Sequence, residues 1–138
     1  MSFREKSAWL MALFMTAVGV YYLHIVRAAT KALGETASPL IVIALVVLIV
    51  IGSVVAQVVL AVSSPREANT PADEREQQIQ LRSSHWSGFV LATGAVSSLG
   101  HFIAYSDGNM LFHLVMGSLI VSQIAEYAFQ ILLVRRSF

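Results

Sequence analysis

No cysteine occurs anywhere in the chain, which excludes disulfides, thiolate metal sites and thioether-linked haem. Charge is scarce as well. Asp, Glu, Lys and Arg make up 12% of the sequence and the formal net charge is +1, so nothing in the charge balance points to direct nucleic-acid binding or to a strongly acidic partner. A Gly-rich phosphate loop, a His-Glu-x-x-His pair and a nucleophile elbow are all missing. The longest polar stretch, 63–86, leaves no room for a soluble catalytic domain. Enzymatic activity is therefore not expected.

What the chain does have is apolar surface. Hydrophobic residues make up 57% of its 138 positions, and the mean hydropathy is +0.71. A water-soluble domain of this length has too little interior to hide so much apolar surface. Lipid can cover it. Four apolar runs, at about 8–26, 39–62, 87–105 and 111–134, are each long enough to cross a ~30 Å hydrocarbon core at ~1.5 Å rise per residue. The expected fold is an all-α, integral membrane four-helix bundle, one domain over 1–138.

The first run follows Arg4, Glu5 and Lys6 and has span length with no small-x-small cleavage pattern before Arg27, so it reads as a retained helix rather than a removable signal. Trp9, Tyr21 and Tyr22 lie near its ends, where amphipathic rings favour the headgroup level. Residues 27–37 read as a polar connection. Ser38 and Pro39 have N-cap and first-turn chemistry and open the second run, in which Gly52, Ser53 and Ala56 form a small-residue patch for close helix approach. In the polar segment 63–86, Thr70 caps and Pro71 starts a helix that continues into the third run, with Ser83 and Ser84 the expected place for a bend. Residues 106–109 read as a tight turn, which makes the last two runs an antiparallel hairpin.

Positive charge is lopsided in this arrangement. Arg4, Lys6, Arg66, Arg75, Arg82, Arg135 and Arg136 fall on one face of a four-span chain, and Arg27 and Lys31 on the other. The positive-inside rule puts both termini and the 63–86 segment in the cytoplasm.

One carboxylate, Glu126, lies inside the fourth run, where an ionisable group needs a partner or a purpose. Ser118, Ser122, Gln123, Glu126 and Gln130 recur at spacings of three, four and seven and share one helix face. Gln57 of the second run is expected at a similar depth, completing an intramembrane polar site. Two readings stand side by side: interhelical glue, or a group that handles protons or cations in a small oligomeric transporter or channel. A third places the carboxylate opposite a basic group of a partner subunit. In the third run, Gly94, Ser97, Ser98, His101 and Tyr105 form a stripe suited to close packing. His101 and His113 are equidistant from Asp107, with His24 at the far end of the first run, so these imidazoles could hold a transition metal or haem, or could simply be hydrogen-bonded. No cofactor is otherwise expected.

Asp73, Glu74, Arg75, Glu76 and Arg82 give the polar segment more charge than a connection requires, and they form either a docking surface or a solvated helix with internal ion pairs. The pattern Pro71-x-Asp73-Glu74-Arg75-Glu76-x-x-Ile79-x-x-Arg82 before a span resembles one found in uncharacterised families of small four-span bacterial inner-membrane proteins. Some of these are similar to membrane partners of small DNA-binding regulators. The resemblance implies a sequestering or sensing role and a cytoplasmic regulatory partner, in the bacterial inner membrane. Small multidrug transporters are of similar size, but their essential acid lies in the first span, where this chain has none. A homo-oligomer is expected because four short helices enclose little space. The expected function is thus a non-enzymatic sensing or regulatory module. The charge asymmetry makes a direct prediction: a cytoplasm-active reporter fused after Phe138 is active and one inserted at Asp107 is not, and the opposite pattern would invert the topology.

Overall fold

In a computed structural model, residues 3–33, 39–63, 65 and 71–136 are described, and every element among them is a helix. The helices are α1 (Phe3–Leu33), α2 (Pro39–Ser63), α3 (Glu74–Tyr105) and α4 (Gly108–Arg136). All four are long and apolar enough to cross a membrane. At ~1.5 Å per residue they measure roughly 46, 38, 48 and 44 Å, so α1, α3 and α4 exceed a ~30 Å hydrocarbon core by several turns. Helix α2 is dense in Val and Ile, which in water would favour strand. Without water, only a helix satisfies every backbone N–H and C=O within one segment.

Element boundaries differ from the sequence reading in three places. Helix α1 runs on through 27–33, where a connection was expected: the segment is mostly Ala and Leu, Thr30 donates to the Val26 carbonyl at 2.8 Å, and Lys31 complements the dipole of the last turn. Helix α3 begins at Glu74 and not at Pro71, because Asp73 is the N-cap, with extended backbone (φ −62°, ψ 152°) and a carboxylate that accepts the Glu74 N–H at 2.8 Å. The helix is unbroken through Ser83 and Ser84, whose hydroxyls find partners without interrupting it. The expected caps Ser38 and Thr70 lie outside the described residues.

The reversal between α3 and α4 is shorter than four residues. Ser106 takes the left-handed conformation (φ 54°) and returns its N–H to the Phe102 carbonyl at 2.7 Å. Asp107 then caps α4 at once, its Oδ1 accepting from the N–H groups of Asn109 at 3.0 Å and Met110 at 3.1 Å. Gly108 and Asn109 are already helical.

The principal contacts run from α2 to α1, from α1 to α4, and from α4 to α3. Polar side chains share the interior with apolar ones such as Ala8, Met11 and Ile131. Buried positions include Ser83, Ser87, Ser98, His113 and Ser122, beside a small apolar cluster of Tyr22, Val42 and Ile120. Outside stand Leu40, Val47, Ile51, Val54, Val58, Val96 and Ile103, each more than half exposed. An exposed apolar surface of this extent is the kind that marks a membrane or protein contact.

Small side chains allow the close approach of α3 and α4. A Cβ built on Gly94 would meet the Ser118 hydroxyl and lie 2.6 Å from its Cβ. Gly52 is likewise occupied within the chain, its missing Cβ replaced by the Phe14 ring edge at 2.7 Å. Gly94→Ala is therefore expected to destabilise the protein by about 1–3 kcal/mol through overpacking. Adding Ser118→Gly should recover much of the loss, as read by thermal unfolding in detergent; no recovery would mean that the two helices do not meet at this point.

Candidate functional site

The end of the bundle that holds Arg4, Asp73 and Arg136 concentrates most of the polar chemistry. Two ties fasten α1 there. The Arg4 guanidinium lies 3.0 Å from the Glu76 carboxylate on α3, and the Arg135 guanidinium stands over the Trp9 ring, 5.4 Å from its centroid. A third tie joins α1 to α2: Ser7 and Gln57 exchange hydrogen bonds at 3.1 and 3.0 Å. Gln57 is thus engaged with α1, against which α2 packs.

Glu126 finds its partners on α3. Ser84 donates to Oε1 at 2.5 Å, and the Ser87 hydroxyl, which donates to the Ser84 carbonyl at 3.0 Å, lies 3.5 Å from Oε2. Trp86 and Phe129 meet beside them with ring centroids 6.4 Å apart. The carboxylate thus sits where α3 passes from its charged first turns into its apolar part. Of its proposed companions on α4, Ser122 is buried and donates to the Leu119 carbonyl at 2.9 Å, and Gln123 and Gln130 are half-buried.

The charged segment divides by task. Asp73 is spent on capping and Glu76 on Arg4. Glu74, Arg75 and Arg82 are exposed. With Gln77, Leu81 and His85, Glu74 forms an outward row at spacings of three and four, and Leu81 on that row is 72% exposed.

The three histidines have different surroundings. His113 is buried, its Nδ1 2.6 Å from the Tyr22 hydroxyl, with the imidazole tautomer deciding which atom donates. Its Nε2 has no hydrogen-bond partner among the described residues. His101 packs against Tyr105 in its own helix at a centroid distance of 4.6 Å, and its Nδ1 is buried with no hydrogen-bond partner among the described residues. His24 is exposed on α1. Among the described residues, no three His, Cys, Asp or Glu side chains stand together in a way that could hold a metal ion. His113 is thus tied through Nδ1 to Tyr22 of α1.

Sequence reasoning missed Ser84, Ser87, Tyr22 and Arg4 as partners. The signal for Ser87 was available: it lies as many residues before the Ser106–Asp107 reversal as Glu126 lies after it. Arg4 and Tyr22 carried no such signal, since nothing local specifies that α1 lies beside α4. Comparison with family models, with curated proteins and with solved structures finds no match to this chain.

A carboxylate accepting from the Ser84 hydroxyl on a neighbouring helix is suited to fixing that helix in place. Glu126→Leu should lower stability by about 1 kcal/mol, the scale of interhelical hydrogen bonds in membranes. Glu126→Gln keeps an acceptor for Ser84 and should stay near wild type. Thermal unfolding in detergent, with Ser84→Ala completing a double-mutant cycle, checks this; additive losses would show that the contact carries no coupling.

Proposed function

We propose that this chain is a non-enzymatic module of the bacterial inner membrane, sensing or regulatory, that holds a rigid helix out to a cytoplasmic protein. The observation that carries the reading is the continuity of α3. A single helix of roughly 48 Å joins the charged segment to the apolar part without a joint, and it exceeds a ~30 Å hydrocarbon core by about three turns. The excess falls at its Glu74 end, where the asymmetry of Lys and Arg supports a cytoplasmic location with both termini on the same side.

A flexible linker would let a bound partner move independently of the membrane part. A helix fastened by Glu126 to α4 and by Arg4 to α1 transmits position instead. The outward row of Glu74, Gln77, Leu81 and His85 is the face left for a partner, with exposed Leu81 as its apolar anchor. This narrows the docking surface from the whole charged segment to one side of α3.

Affinity capture of the full chain from native membranes tests the proposal. A cytoplasmic protein recovered with wild type should be lost with the Glu74→Ala, Leu81→Ala double variant and retained with Glu126→Gln. An identical set of captured proteins for all three forms would overturn it.

A further inference from the structure

Away from the charged turns of α3, Tyr22 of α1 and His113 of α4 meet in a buried polar contact; they are 4% and 9% exposed. Three helices close over it. Tyr22 also packs with Val42 of α2 and Ile120 of α4, and the Phe112 ring lies edge-on to the imidazole with centroids 5.7 Å apart. The hydrogen bond uses Nδ1 and leaves Nε2 buried with no hydrogen-bond partner among the described residues. A neutral imidazole has one N–H and one lone pair. In the tautomer that donates Nδ1–H to the Tyr22 oxygen, only a lone pair is left at Nε2. A protonated ring carries N–H on both nitrogens, so Nε2 becomes a donor with no acceptor among the described residues, and a full charge enters a buried position beside Phe112. Both changes work against the packed contact.

The titratable groups around the pair are few. On α4, the carboxylate that bears on the ring is Asp107, already held by the N–H groups of Asn109 and Met110. On α1, Tyr21, His24 and Arg27 are exposed. On α3, His101 and Tyr105 pack against each other, and α2 has no titratable side chain. Imidazole changes charge within about pH 5–8, and His113 is only about one and a half turns from the Gly108 end of α4, a short path for a proton. The contact also fastens one end of a lever. Helix α1 is unbroken from Phe3 to Leu33. Roughly 27 Å along it from Tyr22, Arg4 pairs with Glu76 of α3, and between the two Trp9 lies beneath Arg135 of α4. A rigid helix released at one end tilts or turns about its remaining fastenings, and here one of those is on the helix proposed to meet a cytoplasmic partner.

We propose that the Tyr22–His113 contact is a proton-released fastening: a proton taken from water at the Gly108 end adds to Nε2, the imidazolium leaves the packed position, and α1 carries the change to the Arg4–Glu76 pair. The new N–H is the single covalent bond formed, and Tyr22 keeps its own proton. The proposal rests on the sensing reading of the chain and names its signal as acidification on the face opposite the docking part of α3. The chemistry of the contact is independent of the identity of any partner.

Because the chain has no cysteine, introduced thiols can be labelled without interference. Ala28→Cys on α1 and Asn109→Cys on α4, both exposed positions, take spin labels near the ends of the two helices, and pulsed electron resonance reads their separation in the full chain in lipid nanodiscs. From about pH 8 to about pH 5, the separation should change from a narrow distribution to a longer and broader one. His113→Gln keeps a donor for Tyr22 but takes no proton in this range, and should hold the narrow distribution throughout. His24→Gln and His101→Gln should still show the change. Helical circular dichroism verifies each variant, and His113→Asn replaces His113→Gln if the longer amide does not fold. An unchanged separation in the labelled parent, or a change that survives in the His113 variant, would overturn the proposal. A second label pair, Leu13→Cys on α1 and Gln80→Cys on α3, both exposed, should shift with the first; a fixed second pair beside a moving first would overturn the transmission to α3. Failure of the sensing reading shows separately, in the affinity capture, where no cytoplasmic protein would depend on Glu74 and Leu81.

Discussion

The structure depends on one constraint: in an apolar surrounding, each segment must satisfy its own backbone hydrogen bonds. Helix α2 obeys it against the intrinsic preference of its Val and Ile residues. The same constraint acts on side chains. Ser, Thr and His cannot turn to lipid without losing hydrogen bonds, so Thr16, Thr93, Ser97 and Ser98 bond back to carbonyls one turn earlier. Ser83, Ser87, Ser98 and Ser122 are buried. For helices set in lipid, hydrophobic burial offers little to hold them together, since lipid tails are as apolar as a neighbouring helix. Close contact takes over that task, as between Gly94 and Ser118 and between Gly52 and Phe14.

Polar ties are concentrated at one end of the molecule. Arg4 with Glu76, Arg135 with Trp9, Ser7 with Gln57 and Ser84 with Glu126 fasten every helix to a neighbour within the same few turns. At the other end, Tyr22 with His113 is the corresponding buried contact between α1 and α4. Exposed ion pairs contribute little individually. Their value here is register, since each permits a single rotation of one helix against the next.

Helix number was legible in the sequence because run length and the scarcity of charge are properties of continuous segments, independent of neighbours. The hairpin was legible for the same reason: Ser106 and Asp107 have local turn and cap chemistry. Boundaries were less so at Asp73, because Thr70 and Asp73 are both good caps and local propensity does not rank two caps three residues apart. Neighbour relations were the least legible. Glu126 was singled out as a buried acid, yet its partners on α3 follow from counting back through the turn, and the engagement of Gln57 with Ser7 follows from α2 lying against α1. A stripe of polar residues on one helix says that something faces it, not which helix that is.

The contact order of these helices has a consequence for how the chain is made. The two-residue reversal at Ser106 and Asp107 means that α3 and α4 can meet as soon as both exist, whereas α1 touches α4 across most of the sequence. During synthesis α1 must therefore wait, with α2 as its company, until the final 29-residue helix is complete. Only then can Tyr22 reach His113 and Trp9 reach Arg135. A nascent chain halted before α4 would leave the first helix with an unmatched face, its Tyr22 hydroxyl and Trp9 ring still without His113 and Arg135.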